Sequence, residues 1–144
     1  MDFEFNELQT SVQKMIKDFV DREIKPVAME YELEDRYPSG IVEKMQELGF
    51  FGLTIPEEFG GGGMDEVCYA IAMEELSVGW MSVAGILGTH MMTSWMILHY
   101  GSDEQKKNYL PKMATGEWHS GMALSEPGSG SDSAALRTQG KKEE

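Results

Sequence analysis

Residues 125–132 read Ser-Glu-Pro-Gly-Ser-Gly-Ser-Asp, and they divide the chain into two textures. Pro127 is followed by glycines at 128 and 130, so a turn-rich loop is expected rather than helix or strand. Those glycines permit close backbone approach and positive φ, which lets successive N–H groups converge on an anion. Ser125, Ser129 and Ser131 add hydroxyls that can donate to phosphate or to a polar heterocycle. The residues alone leave two readings open, an anion cradle and an ordinary surface turn. Just upstream, Trp118-His-Ser-Gly-Met-Ala-Leu-Ser125 has no helical stripe and predicts a strand. Downstream, Ser133 to Glu144 ends in Lys-Lys-Glu-Glu and offers no apolar run to pack.

Before Gly116 the pattern is helical. Asn6 and Gln9 form an N-x-x-Q capping pattern, and Leu8, Val12, Met15, Ile16 and Phe19 follow at helical spacing. This predicts a helix over 7–24, which Pro26 ends or kinks. The acidic residues of 30–36 read as a solvated segment. A second helix over 39–48 carries Ile41, Val42, Met45 and Leu48, with Gly49 as its stop. The short apolar run from Phe50 to Pro56 leads into Gly60–Gly63. A phosphate loop is the functional reading of these glycines, but no Gly-Lys-Ser/Thr follows, so a flexible connection is expected. Asp65 caps a third helix over 66–77, with Val67, Ala70, Ile71 and Leu76 facing the core. A fourth helix occupies 81–99 and ends at Gly101. Ser102 and Gln105 form a capping box for a helix over 103–110, which stops before Pro111. A short helical turn through Met113 and Ala114 follows, closed by Gly116. The expected class is mainly α. An all-α domain occupies 1–117, and 118–144 is the start of a β domain. A lone strand is not a domain, so the chain is expected to be part of a longer protein.

Composition excludes several classes. The 144 residues hold 25 acids against 12 bases, a formal net charge of −13. Eighteen of the acids precede residue 80, with six bases among them. Nucleic-acid binding needs a basic footprint, and none is present. One cysteine, Cys68, makes neither an internal disulfide nor a multi-thiolate metal site. His90, His99 and His119 show no metal-ligand spacing, so no metal is expected. The N-terminus lacks an apolar signal region, and a cytoplasmic location is expected. Val78 to His99 contains no Asp, Glu, Lys or Arg and is long enough to span a membrane. Its glycines, serines, threonines and His90 dilute it, so a core helix rather than a membrane span is expected.

The run Ala123-Leu-Ser-Glu-Pro-Gly-Ser-Gly-Ser-Asp132-Ser-Ala-Ala135 resembles a signature of the acyl-CoA dehydrogenase family. Tyr100 to Glu117 and Leu48 to Gly61 resemble two further family segments, and the resemblance covers essentially the whole chain. It implies the first third of a family chain: an α domain, then the first strand and loop of the middle β domain. It also implies FAD as cofactor, an acyl-CoA substrate, electron-transferring flavoprotein as partner and a homo-oligomer. Met122, Ala123, Leu124, Ser125, Gly130 and Ser131 would line the flavin, with Ser131 also near the acyl-CoA. Ser125 stands where Thr is common and keeps the hydroxyl.

The uncharged helix would wall the acyl chain. Gly85, Gly88 and Met92 are its candidate substrate contacts, with Ala84, Met81, Met91 and Met96 around them, and a deep or broad pocket is expected. Tight helix packing across the glycines is the alternative. The catalytic base would be a Glu beyond residue 144, so no residue here is assigned catalysis. Glu126 and Asp132 read as structural, and His90 as a satisfied core histidine. The same resemblance admits an acyl-CoA oxidase or a flavin monooxygenase of this fold. Outside it, a stand-alone helical interaction module remains the alternative.

Overall fold

The computed structural model describes residues 4–141. The expectations touching 1–3 and 142–144 lie outside the described residues. Six α-helices follow in order: α1 Glu7–Phe19, α2 Ala28–Leu33, α3 Ser39–Glu47, α4 Glu66–Gly79, α5 Met81–Tyr100 and α6 Asp103–Ala114. No strand occurs among the described residues.

The helix starts follow the sequence. The Asn6 side chain accepts from the Gln9 N–H at 2.9 Å, and the Gln9 side chain accepts from the Asn6 N–H at 3.1 Å. Ser102 and Gln105 make the same reciprocal pair at α6. Asp65 caps α4 by accepting from the Cys68 N–H at 2.8 Å. Gln9 Nε2 also donates to Asp65 at 2.9 Å, so the first turns of α1 and α4 are tied together. The two helices then run in the same direction to a contact between Val20 and Gly79. A Cβ at Gly79 would sit 2.6 Å from Val20 Cγ1, so only glycine lets the chains approach there.

Trp80 alone separates α4 from α5, and α5 turns back along α4. The main core gathers Val12, Ile16, Phe19, Met45, Phe50, Leu76 and Leu87 with their neighbours. Ile55, Leu110, Met113 and Ala114 form a second cluster under α5 and α6. Each fully buried large side chain contributes about 1.5–3 kcal/mol relative to exposure. α5 is long and apolar enough to cross a membrane by length and composition. It buries Val83, Ala84, Leu87, His90, Met91 and Ser94 on one face and exposes the other.

Several expectations are corrected. The helix expected over 7–24 is α-helical only to Phe19 and continues as a π-turn over Val20–Ile24, where Val20 and Ile24 are buried. Leu8 and Met15 lie on its exposed side. The acidic 30–36 segment is solvent-facing, as expected, and its first part is helical: α2 covers Ala28–Leu33, and Trp80 Nε1 donates to Glu32 at 2.5 Å. In α4 the core face is Cys68, Ile71, Ala72 and Leu76, while Val67 and Ala70 are exposed. Ile71 and Leu76 face the core as expected, with Cys68 and Ala72 in place of Val67 and Ala70. Pro111 does not stop α6, which runs on to Ala114. Burial of Leu110 and Met113 offsets the lost proline hydrogen bond. Finally, 118–125 is irregular rather than a strand, because no second strand is paired with it.

The glycine run is an ordered connection rather than a flexible one. The Gly62, Gly63 and Met64 N–H groups donate to the carbonyls of Gly52, Ile55 and Leu53 at 2.8–2.9 Å. A Cβ at Gly61 would lie 2.0 Å from the Ile55 carbonyl oxygen, so this backbone-on-backbone contact requires glycine.

Candidate functional site

Two groups of residues carry the candidate chemistry, and α5 lies behind both. The first is the loop after α6. Gly116, at φ 72, turns the chain out of α6, and a Cβ there would press on Gln46 and Phe51 at 2.9 Å. The chain then passes His90, a histidine of α5 that is 0% exposed. Its Nε2–H lies 3.2 Å from the Phe51 carbonyl and 3.1 Å from the Met113 carbonyl, and both only accept. The proton is therefore on Nε2, which leaves Nδ1 as acceptor 3.5 Å from the Ser120 hydroxyl. Burial, aided by His119, pushes the His90 pKa down, so the ring is held neutral. His90 is a satisfied core histidine that joins α5, α6 and the outgoing loop.

Beyond Ser120 the loop is held by its own residues. Glu126 and Ser129 exchange backbone hydrogen bonds at 2.8 and 3.2 Å. The Glu126 carboxylate accepts from the N–H groups of Arg137 and Thr138 at 2.9 and 2.8 Å, and from the Thr138 hydroxyl. The Thr138 hydroxyl first, then these N–H groups, hold its carboxyl below the usual carboxylate range. Glu126 is thus a clasp across the loop. The Asp132 backbone carbonyl, not its carboxylate, accepts from Ser129 Oγ.

Met122 to Ser125 precede this clasp and are exposed. Their N–H groups donate to nothing within the described residues. Met122 is 41% and Leu124 42% exposed, so two large apolar side chains stand beside open donors. Gly128 has open space where a Cβ would be, and Gly130 lies 3.7 Å from Ser125 Oγ by the same measure. A flat heteroaromatic ring needs an apolar surface with donors at its polar edge, and a pyrophosphate needs a glycine cradle. The residues present fit both demands.

The second group lies on α5. Gly85 faces open space. Gly88 takes the packing geometry: Met73 Cε lies 3.0 Å and Tyr69 Oη 3.7 Å from the place of its missing Cβ. Met92 lines a cavity of about 550 Å³ with Met64, Tyr69, Met91, Trp95 and Leu98. Met81 and Met96 are exposed and take no part in it. None of residues 122–131 lines this cavity, so the two candidate groups remain separate. Tyr69 and Met73 were missed in the sequence. Their i, i+4 spacing on α4 was the available signal. Burial pushes the Cys68 thiol up to about 11, so it stays a protonated core residue. No group of three metal-capable side chains occurs among the described residues.

The arrangement defines a layered helical domain that presents a donor-rich, glycine-containing loop. The family profile described as "Acyl-CoA dehydrogenase, N-terminal domain" matches residues 6–117, and the chain belongs to the acyl-CoA dehydrogenase family. It is 40% identical over 131 residues to the acyl-CoA dehydrogenase of Bacillus subtilis, covering 90% of this chain and 35% of that protein. The solved structure titled as the electron transferring flavoprotein of Acidaminococcus fermentans superposes with a TM-score of 0.90 at 32% identity. That match covers 95% of this chain and 36% of the other. The acyl-CoA dehydrogenase of Bacillus anthracis, solved with FAD, gives a TM-score of 0.76 at 35% identity over 93% of this chain and 23% of its own. The chain spans about a third of the length of the curated relatives it matches.

Proposed function

We propose that these residues are the N-terminal helical part of an FAD-dependent acyl-CoA dehydrogenase, with 118–144 entering its middle β domain. The reaction is α,β-dehydrogenation of an acyl-CoA to the 2,3-enoyl-CoA. The observation that carries this reading is the match of residues 6–117 to the family's N-terminal domain, followed directly by the glycine-containing loop that Glu126 clasps. FAD, when bound, supplies the acceptor for the substrate's β-hydride.

The chain's own residues orient and bind. The Leu124 backbone and Ser125 hydroxyl would hold the polar edge of the ring, where hydrogen bonds tune its electron affinity. Met122 and Ala123 border it. Gly130 and Ser131 would hold the pyrophosphate, and Ser131 would also approach the bound acyl-CoA. The face of α5 carrying Gly85, Gly88 and Met92 walls the acyl chain. The carboxylate base that removes the α-proton is supplied from outside residues 1–144. Electrons pass on to an electron-transferring flavoprotein, the whole protein assembles as a homo-oligomer, and its location is cytoplasmic.

The test is anaerobic. The purified whole protein is mixed with acyl-CoAs of graded length while the visible flavin absorbance is followed. Loss of that absorbance with at least one acyl-CoA is expected. A protein that keeps its colour with every acyl-CoA overturns the reading. Chain 1–144 alone is expected to be colourless and inactive toward an acceptor dye.

A further inference from the structure

We propose that His90 is a positioning residue for the flavin loop: through Ser120 and Met113 it fixes where the chain leaves the helices, just before Met122. This rests on the reading of 122–131 as the FAD segment. The His90 ring reaches three parts of the chain at once. Its Nε2–H is shared between the Phe51 carbonyl at 3.2 Å and the Met113 carbonyl at 3.1 Å. The Met113 carbonyl also accepts from the Gly116 N–H at 3.0 Å. His90 therefore holds the same oxygen that ends α6 and starts the turn outward. On the other side of the ring, Nδ1 faces the Ser120 hydroxyl at 3.5 Å.

The residues on either side of this contact are seated as well. The Trp118 N–H donates to the Lys112 carbonyl at 3.1 Å, and Lys112 Nζ lies 4.1 Å over the Trp118 ring. The His119 ring lies against Phe51 at 4.4 Å, and Phe51 meets His90 edge-on at 5.0 Å. Trp118, His119 and Ser120 are thus held in turn by Lys112, Phe51 and His90. The Ser120 contact is the one that a proton on His90 breaks. Neutral Nδ1 accepts from the hydroxyl, and a protonated Nδ1 cannot. The groups packed on His90 are the Phe51 and Met113 carbonyls, the Ser120 hydroxyl and His119, which titrates. A charge on His119 opposes a second charge on His90 while the loop is seated, and release of the loop relieves that opposition. A cofactor that needs the seated loop therefore binds best to neutral His90, and its affinity falls in acid.

The experiment titrates FAD into the whole apoprotein at pH 7.5 and pH 5.5, with flavin fluorescence giving Kd. In His90→Gln the amide N–H groups replace the Nε2–H toward both carbonyls, but nothing titrates. Its Kd is expected to stay within about threefold of the parent's at pH 7.5. The rise in Kd between pH 7.5 and 5.5 is expected to be about fivefold smaller than in the parent, given an ordinary histidine value once the loop is released. Ser120→Ala cuts the tie from the loop side and leaves the helical core untouched. It is expected to raise Kd at pH 7.5 by about threefold with an unchanged thermal midpoint of the apoprotein. A purely structural His90 would lower the midpoint in His90→Gln and keep the parent's pH response. That result, or a Ser120→Ala protein with the parent's Kd, overturns the inference and leaves the flavin reading standing. A parent protein that takes up no FAD at either pH overturns both.

Discussion

From Glu7 to Ala114 the helices bury apolar side chains against one another, and α1, α4 and α6 begin at side-chain caps. From Trp118 to Lys141 no residue is buried, and the fixed points are the His90–Ser120 contact and the Glu126 clasp. The first region is stable because its polar groups are spent on itself. The second is exposed and held by few contacts, as a loop carried on a rigid scaffold is. The substitutions below separate the two regions.

The largest effect belongs to the core. Leu87→Ala empties a fully buried position between α4 and α5 and is expected to cost about 3–4 kcal/mol, read as a lowered thermal midpoint. Next is Gly61→Ala, whose Cβ would strike the Ile55 carbonyl. Because backbone must move on both sides, a loss of about 2–3 kcal/mol is expected by denaturant titration. An unchanged midpoint would show that the glycine run is a loose connection after all.

Asp65→Asn weakens the knot between α1 and α4, with a sign that pH reveals. The Cys68 N–H, then Gln9, hold the Asp65 carboxyl below its ordinary range. Its contribution is fully present above the unfolded carboxylate value and is lost as pH falls through the lowered one. Parent and variant are therefore expected to differ in thermal midpoint near neutrality and to converge in acid. The smallest global effect is that of Glu126→Gln. The thermal midpoint should not move, while the Arg137 and Thr138 amides exchange faster with solvent. A lowered midpoint would join the loop to the helical core and erase the contrast.

Much of this was legible in the residues. Asn6, Asp65 and Ser102 mark helix starts because a cap needs one side chain at one place. Glu126 reads as structural from its place in the family-like signature, although its partners Arg137 and Thr138 lie 11 and 12 residues on. Long-range packing was not legible. The tie between α1 and α4 joins Gln9 to Asp65, 56 residues apart. Pro111 lies inside α6 because its neighbours are buried, which overrides a local breaker. Gly88 shows a gap in the sequence, but only the structure places Met73 in it. The 118–125 segment has strand-like composition, and composition cannot supply a pairing partner.

Hydrogen exchange of the whole protein with and without FAD tests the central claim, that the 122–131 loop holds the cofactor. The amides of 122–131 are expected to exchange fast without FAD and to become protected with it, while the helices of 7–114 keep the same protection in both. Unchanged exchange at 122–131 on FAD binding would contradict the account.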